Sequence, residues 1–213
     1  MHTGYRTLSN VLLLIAALGV LAALSGAAPE PSPIPRRWQL DVRPGELRMM
    51  QVEHEGDALP YFYLTYTVTN NSGEDVLFAP LWEMATDNGD LIRSGREVPL
   101  PVVRHIIEQL ENPFLESQVQ ISGPLLQGEE NAKDGIIVWP MRDFDVDEIK
   151  VYAAGFSGET ATIEVPDPAT KQIKKIVLRK TLELTYDTPG DLDPRSSAAL
   201  PMAGQGRGRW VMR

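Results

Sequence analysis

Residues 61–90 read YFYLTYTVTNNSGEDVLFAPLWEMATDNGD, and this stretch decides the fold. From Tyr61 to Thr69, Phe62, Leu64, Tyr66 and Val68 fall on one side, and Tyr61, Tyr63, Thr65, Thr67 and Thr69 on the other. Period-two alternation of aromatic and β-branched residues predicts a half-buried strand. A helix would mix the two sets on every face and restrict the χ1 angles of its Thr and Val residues. The Phe62 set is expected to face the core, and the Thr set a solvated or cross-strand-bonded face, with Tyr61 and Tyr63 on that same side. Asn70-Asn71-Ser72-Gly73 turns the chain, since Asn and Gly tolerate positive φ and short polar side chains bond their own backbone. Two short apolar runs follow, separated near Pro80, which cannot donate to a ladder and so predicts an edge, a bulge or a switch of sheet. Asn88-Gly89 predicts a hairpin returning through Leu91-Ile92.

This rhythm resembles the Ig-like and fibronectin-like β-sandwich modules of exported bacterial proteins, in which a "TVTN" strand end precedes an "SGED" turn and a later hairpin. The resemblance covers about residues 59–93 and implies a fold without implying a function. The expected class is all-β: an Ig-like antiparallel β-sandwich of about ten strands with one short capping helix.

Outward from the centre, Trp38–Val42 and Leu47–Val52 are expected as strands joined by a Pro44-Gly45 turn, with a charged turn over Glu53–Asp57. Val102, Val103, Ile106, Ile107 and Leu110 recur at three- and four-residue spacing, which predicts a helix over 102–111 ended by Asn112-Pro113. It is expected to cap an open end of the sandwich or to cross between sheets. Ser117–Leu126 alternates through Val119 and Ile121, and Gln127–Asp134 reads as a polar loop. Gly135–Trp139 is an apolar run buried on both faces. Strands are expected over 148–154 and 160–165, and over the long alternating stretch 173–186.

The N-terminus is a leader. Arg6 precedes the 14-residue apolar run Val11–Leu24, and Ser25-Gly26-Ala27 supplies small residues for cleavage after Ala27. The alternative is an uncleaved anchor, although the run falls short of the roughly 20 apolar residues of a span. Pro29, Pro31, Pro33 and Pro35 make residues 28–36 an extended spacer or an unstructured mature terminus. The domain itself is placed at 37–187, and 188–213 reads as a flexible tail, with Trp210–Arg213 able to dock on the body.

Removing residues 1–27 leaves 186 of the 213 residues and takes only Arg6 from the charge count, so a net charge of −9 becomes −10. The acidic balance argues against nucleic acid. Lys171, Lys174, Lys175, Arg179 and Lys180 form the basic cluster. On a strand they divide between two faces and read as solvated charges guarding an edge. With no cysteine, the exported fold stands on packing alone, and thiol chemistry and thiolate metal sites are ruled out.

No pattern of catalytic residues emerges. His54 with Glu53 and Glu55 offers a zinc set only if adjacent turn residues converge. Asp143, Asp145, Asp147 and Glu148 offer calcium oxygens at alternate positions, but the EF-hand pattern fails at Glu148, where Gly belongs, and at Ala154, where Glu belongs. Tyr61 and Tyr63 on a solvent face would make an aromatic platform for a glycan. The reading is a non-enzymatic exported structural or protein-interaction module, periplasmic or secreted, without a cofactor. Its partner is an unidentified protein or envelope component, with membrane contact only through an uncleaved leader. The alternative is a glycan- or calcium-binding module.

Overall fold

A computed structural model describes residues 28–167, 170, 172–188, 192, 193, 195–203 and 208–213. Residues 1–27, where the leader is expected, and Lys171, Gly204 and Gly206 lie outside the described residues. The described chain is all-β with one helix. The strands are β1 (Asp41–His54), β2 (Asp57–Asn70), β3 (Val76–Phe78), β4 (Leu81–Thr86) and β5 (Leu91–Arg93). After the helix α1 (Leu100–Gln109) come β6 (Leu115–Ser117), β7 (Gly123–Leu125), β8 (Gly128–Pro140), β9 (Glu148–Ala154), β10 (Thr160–Pro166), β11 (Ile173–Asp187) and β12 (Arg209–Met212).

Two sheets enclose the main core in a sandwich-like body. One is ordered β1-β2-β8-β6, with β6 parallel to β8. The other is ordered β10-β11-β9-β4-β5, with β12 also on β11. A third, small sheet pairs β3 with β7. Pro80 marks the change of sheet between β3 and β4, as its missing N–H predicts. Phe62, Leu64, Tyr66 and Val68 are all buried in the main core, opposite Trp82 and Met84 of β4 and Leu182, Leu184 and Tyr186 of β11. Tyr66 packs on Trp82 at 4.8 Å between ring centroids, and Phe156 meets both rings edge-on. Tilted and T-shaped contacts of this kind suit the ring quadrupoles.

Several local expectations are corrected. Pro44-Gly45 does not end a strand. β1 runs through it with one extra residue between the pairs Pro44↔Tyr66 and Leu47↔Leu64, a β-bulge. The turn expected within Glu53–Asp57 is present as Glu55-Gly56, where both residues have positive φ (54° and 91°), the two-residue hairpin geometry that matches strand twist. Gln127–Asp134 is not a free loop: β8 begins at Gly128, and Asp134 pairs with Thr67. Its polar residues face out at a sheet bulge, so composition disguised a strand. Val119 is 79% exposed in a turn closed by Ile121 N–H donating to Ser117 O, while Ile121 is buried.

The helix does not cap an end. α1 lies over the outer face of β1-β2-β8 and seals a second core: Val102 and Ile106 pack with Val52, Tyr61, Tyr63, Leu115, Ile136 and Val138. Burying each such aliphatic side chain is worth about 1.5–3 kcal/mol. Pro101 in its first turn costs no hydrogen bond, and Glu111 at φ 51° leads out toward Asn112-Pro113. The expected crossing between sheets is what the chain does, since β5 belongs to one sheet and β6 to the other.

Candidate functional site

The residues singled out in the sequence do not converge. His54 Nε2 is 3.8 Å from Glu55 Oε1, and Glu53 sits beside it on β1, where neighbouring side chains point to opposite faces. Among the described residues no group of three or more His, Asp or Glu side chains is placed to hold an ion. The 143–148 acids are engaged in joining two loops. Asp143 Oδ1 accepts from the Asp145 N–H (3.1 Å) and Oδ2 from Asn88 Nδ2 (2.9 Å), which also donates to Asp145 O (2.7 Å). Asp87 Oδ2 accepts from the Asp147 N–H (3.2 Å). The acidic loop thus fastens itself to the β4–β5 turn. Tyr61 and Tyr63 are 3% and 5% exposed beneath α1, so the expected solvent-facing aromatic platform does not exist.

A charged row crosses the outer face of the larger sheet. The register places Arg93, Glu83, Tyr152, Glu183 and Arg209 side by side on β5, β4, β9, β11 and β12. Arg93 donates to Glu83 (3.2 Å) and Arg209 Nε to Glu183 (2.6 Å). Arg213 reaches across the row, its guanidinium 4.1 Å from the Tyr152 ring centroid and bonded to Glu83. Burial works to raise the Glu83 carboxyl, and the hydrogen bonds from Arg213 and Arg93 outweigh it, leaving Glu83 below its ordinary range. Burial and then the Glu183 charge push the Tyr152 hydroxyl up. Lys150, one register step along β9, is raised by its bond to Glu148 (2.6 Å). Both carboxylates of the row are thus paired with arginines, Glu83 with two and Glu183 with one.

The second constellation lies where β10 and β11 leave the body. Lys180, expected as a solvated edge charge, has a side chain only 3% exposed. Its Nζ donates to Glu159 Oε2 (3.0 Å) and to the Ser32 carbonyl (2.9 Å), and lies 5.6 Å from the Trp210 ring centroid. Glu159 Oε1 accepts the Ser32 N–H (2.8 Å). That backbone bond, against some burial and together with Lys180, holds the Glu159 carboxyl below its ordinary range. Both terminal expectations change as a result. Residues 28–36 are not a free spacer, because Ser32 is held at both backbone groups. Nor is 188–213 wholly a flexible tail. β12 pairs with β11 over Lys180–Glu183, Leu192 and Leu200 are buried in the main core, and Leu200 N–H donates to Leu47 O (2.8 Å).

Beyond this junction β10 and β11 continue as a two-stranded ribbon from the pair Thr160↔Arg179 to the pair Pro166↔Ile173. Ala161, Ile163, Val165, Ile176 and Leu178 share one of its faces, half-buried but for Val165 at 37% exposure, and belong to neither core; Ile173 and Val177, 65% and 59% exposed, lie on the opposite face. Comparison with known proteins finds no matching family model, no matching curated sequence and no matching solved structure. Neither the row nor the junction was visible in the sequence. Each joins residues far apart in the chain, and only the strand register brings them together.

Proposed function

We propose that this chain is a non-enzymatic exported interaction module built on an Ig-like β-sandwich, with the β10–β11 ribbon as its contact element. Export rests on the leader pattern of residues 1–27. The Ig-like assignment is supported by strand order. β1-β2-β8 corresponds to A-B-E of an Ig domain and β5-β4-β9-β11 to C′-C-F-G, with buried Trp82 on the strand that takes the place of C.

The observation that carries the function is the ribbon. An isolated hairpin is marginal in water, and this one carries a half-exposed apolar face outside both cores. Its continuity with β11 keeps it formed. Exposed apolar groups so arranged mark a contact surface. Glu164 and Lys175 (3.5 Å) with Arg179 on the other face, and Lys174 at the far end of the apolar one, guard against unspecific edge pairing. The test is a photo-crosslinking side chain at Val165, on the apolar face, in the exported protein, with Leu91 at the far edge of the same sheet as control. A discrete adduct from Val165 alone is expected. No adduct, or the same adducts from Leu91, overturns the reading.

A further inference from the structure

We propose that Lys180, Glu159 and Trp210 form a peptide-binding site for extended, proline-alternating segments, filled in this structure by the chain's own residues 28–33 and open to the same segment of a second copy. The geometry is that of backbone recognition. Glu159 takes the N–H of Ser32 and Lys180 its carbonyl, so both backbone groups of one residue are read by a single ion pair. Those two bonds use the backbone alone, and the Ser32 hydroxyl adds a bond of its own to Glu159. The neighbours set the shape: Pro31 and Pro33 hold Ser32 extended with both groups presented, and neither proline has an N–H of its own to satisfy.

The site is complete without its occupant. If residues 28–33 leave, Lys180 and Glu159 still hold each other at 3.0 Å, so no charge is orphaned. The groove is also wider than what fills it, since about 550 Å³ stays open between residues 28–33 and β12. The connection to the body does not tie the segment down. Ile34, Pro35, Arg36 and Arg37 are exposed and outside regular structure, and the chain becomes anchored only where the Trp38 carbonyl accepts from the Gly158 N–H (3.0 Å). A segment held at one residue and joined by an exposed connector can exchange between copies.

The experiment uses the full chain carrying Ser32→Pro, which removes the N–H that Glu159 accepts and weakens the occupant in place. A fluorescently labelled peptide of residues 28–36 is titrated in and followed by anisotropy. Saturable binding is expected. It should weaken by about tenfold or more when the peptide itself carries Ser32→Pro, or when the chain also carries Glu159→Gln, because a hydrogen bond to a charged group is lost. No saturation, or equal binding by both peptides, overturns the proposal. A second measurement stands whether or not the Ser32→Pro chain folds. In the unaltered chain the Ser32 amide should be protected from hydrogen exchange while that of Ile34 is not, and Glu159→Gln should abolish the protection. A Ser32 amide exchanging as freely as that of Ile34 would equally refute it.

Discussion

Replacing Gly135 by Ala tests the packing of the main core at its tightest point. Gly135 on β8 pairs directly with Tyr66 on β2. A Cβ built there would lie 2.4 Å from Tyr66 Cζ, 2.5 Å from Cε1 and 2.7 Å from Oη. The backbone of Gly135 is not in the left-handed region, so the cost is steric and not dihedral. The ring has little freedom to retreat, with Trp82 at 4.8 Å and Phe156 at 5.8 Å between centroids. Overpacking of this kind costs about 1–3 kcal/mol. If the ring moves instead, it forfeits two aromatic contacts worth about 0.5–1.5 kcal/mol each, and a cavity opens behind it. Either route leads to a loss of about 1–3 kcal/mol or somewhat more, a large share of the ~5–15 kcal/mol that holds a domain folded. With a urea slope of about 2 kcal/mol/M, the unfolding midpoint by tryptophan fluorescence should fall by about 0.5–1.5 M at unchanged slope. In a Tyr66→Leu background, which removes the ring, the same Gly135→Ala change should cost under about 1 kcal/mol, the non-additivity expected of residues in contact. A midpoint within about 0.3 M of the parent, or an effect undiminished in the Tyr66→Leu background, would refute the packing argument.

Tyr186→Phe should stabilise by roughly 1 kcal/mol in the same urea assay. The Tyr186 hydroxyl is buried with no hydrogen-bonding partner among the described residues, so its removal relieves a desolvation cost and breaks no bond; a loss above about 1 kcal/mol would mean the hydroxyl is bonded. Docking of residues 28–33 should be acid-labile. The Glu159 carboxyl is depressed in the folded chain, first by the Ser32 N–H and then by Lys180, so its contribution is fully present above the ordinary glutamate range and is lost as pH falls through the lowered folded value. Protection of the Ser32 amide should therefore persist at neutral pH and through the ordinary glutamate range and be lost as the pH falls below it, and protection unchanged by acid at the limit where the chain stays folded would contradict this.

The alternation in residues 61–69 was enough to place β2 and its core face, because a strand's period of two is written directly into side-chain chemistry. It could not tell that the other face is also covered. Tyr61 and Tyr63 lie beneath α1, while Thr67 bonds Asp134 at 2.7 Å, so the change from Tyr to Thr along one face follows the edge of the helix's cover. Turns were harder. Pro44-Gly45 has turn composition yet makes a bulge, and Glu55-Gly56 makes the turn with a residue of no special turn preference at φ 54°. Hairpin register decided both, and register follows from the pairing of fourteen-residue strands, not from either dipeptide. The charged row and the Lys180 junction were illegible for a stronger reason. Each residue in them looks like an ordinary surface charge until long-range pairing sets it beside its partner.

β11 shows how one alternating strand can serve both body and ribbon. Its even-numbered face reads Tyr186, Leu184, Leu182, Lys180, Leu178, Ile176. The first three enter the main core and the last two lie outside it. A leucine in place of Lys180 would extend one apolar row from sandwich to ribbon, and nothing chemical would mark where the body ends. The buried ammonium sets that boundary, because burying it demands partners. Glu159 arrives from the turn that begins β10, and the Ser32 carbonyl from the N-terminal segment. A buried ion pair is weak evidence for stability, since an apolar pair of similar volume often serves as well. What the pair adds here is location. It fixes where the core stops, where the ribbon starts and where the first described residues of the chain come to rest.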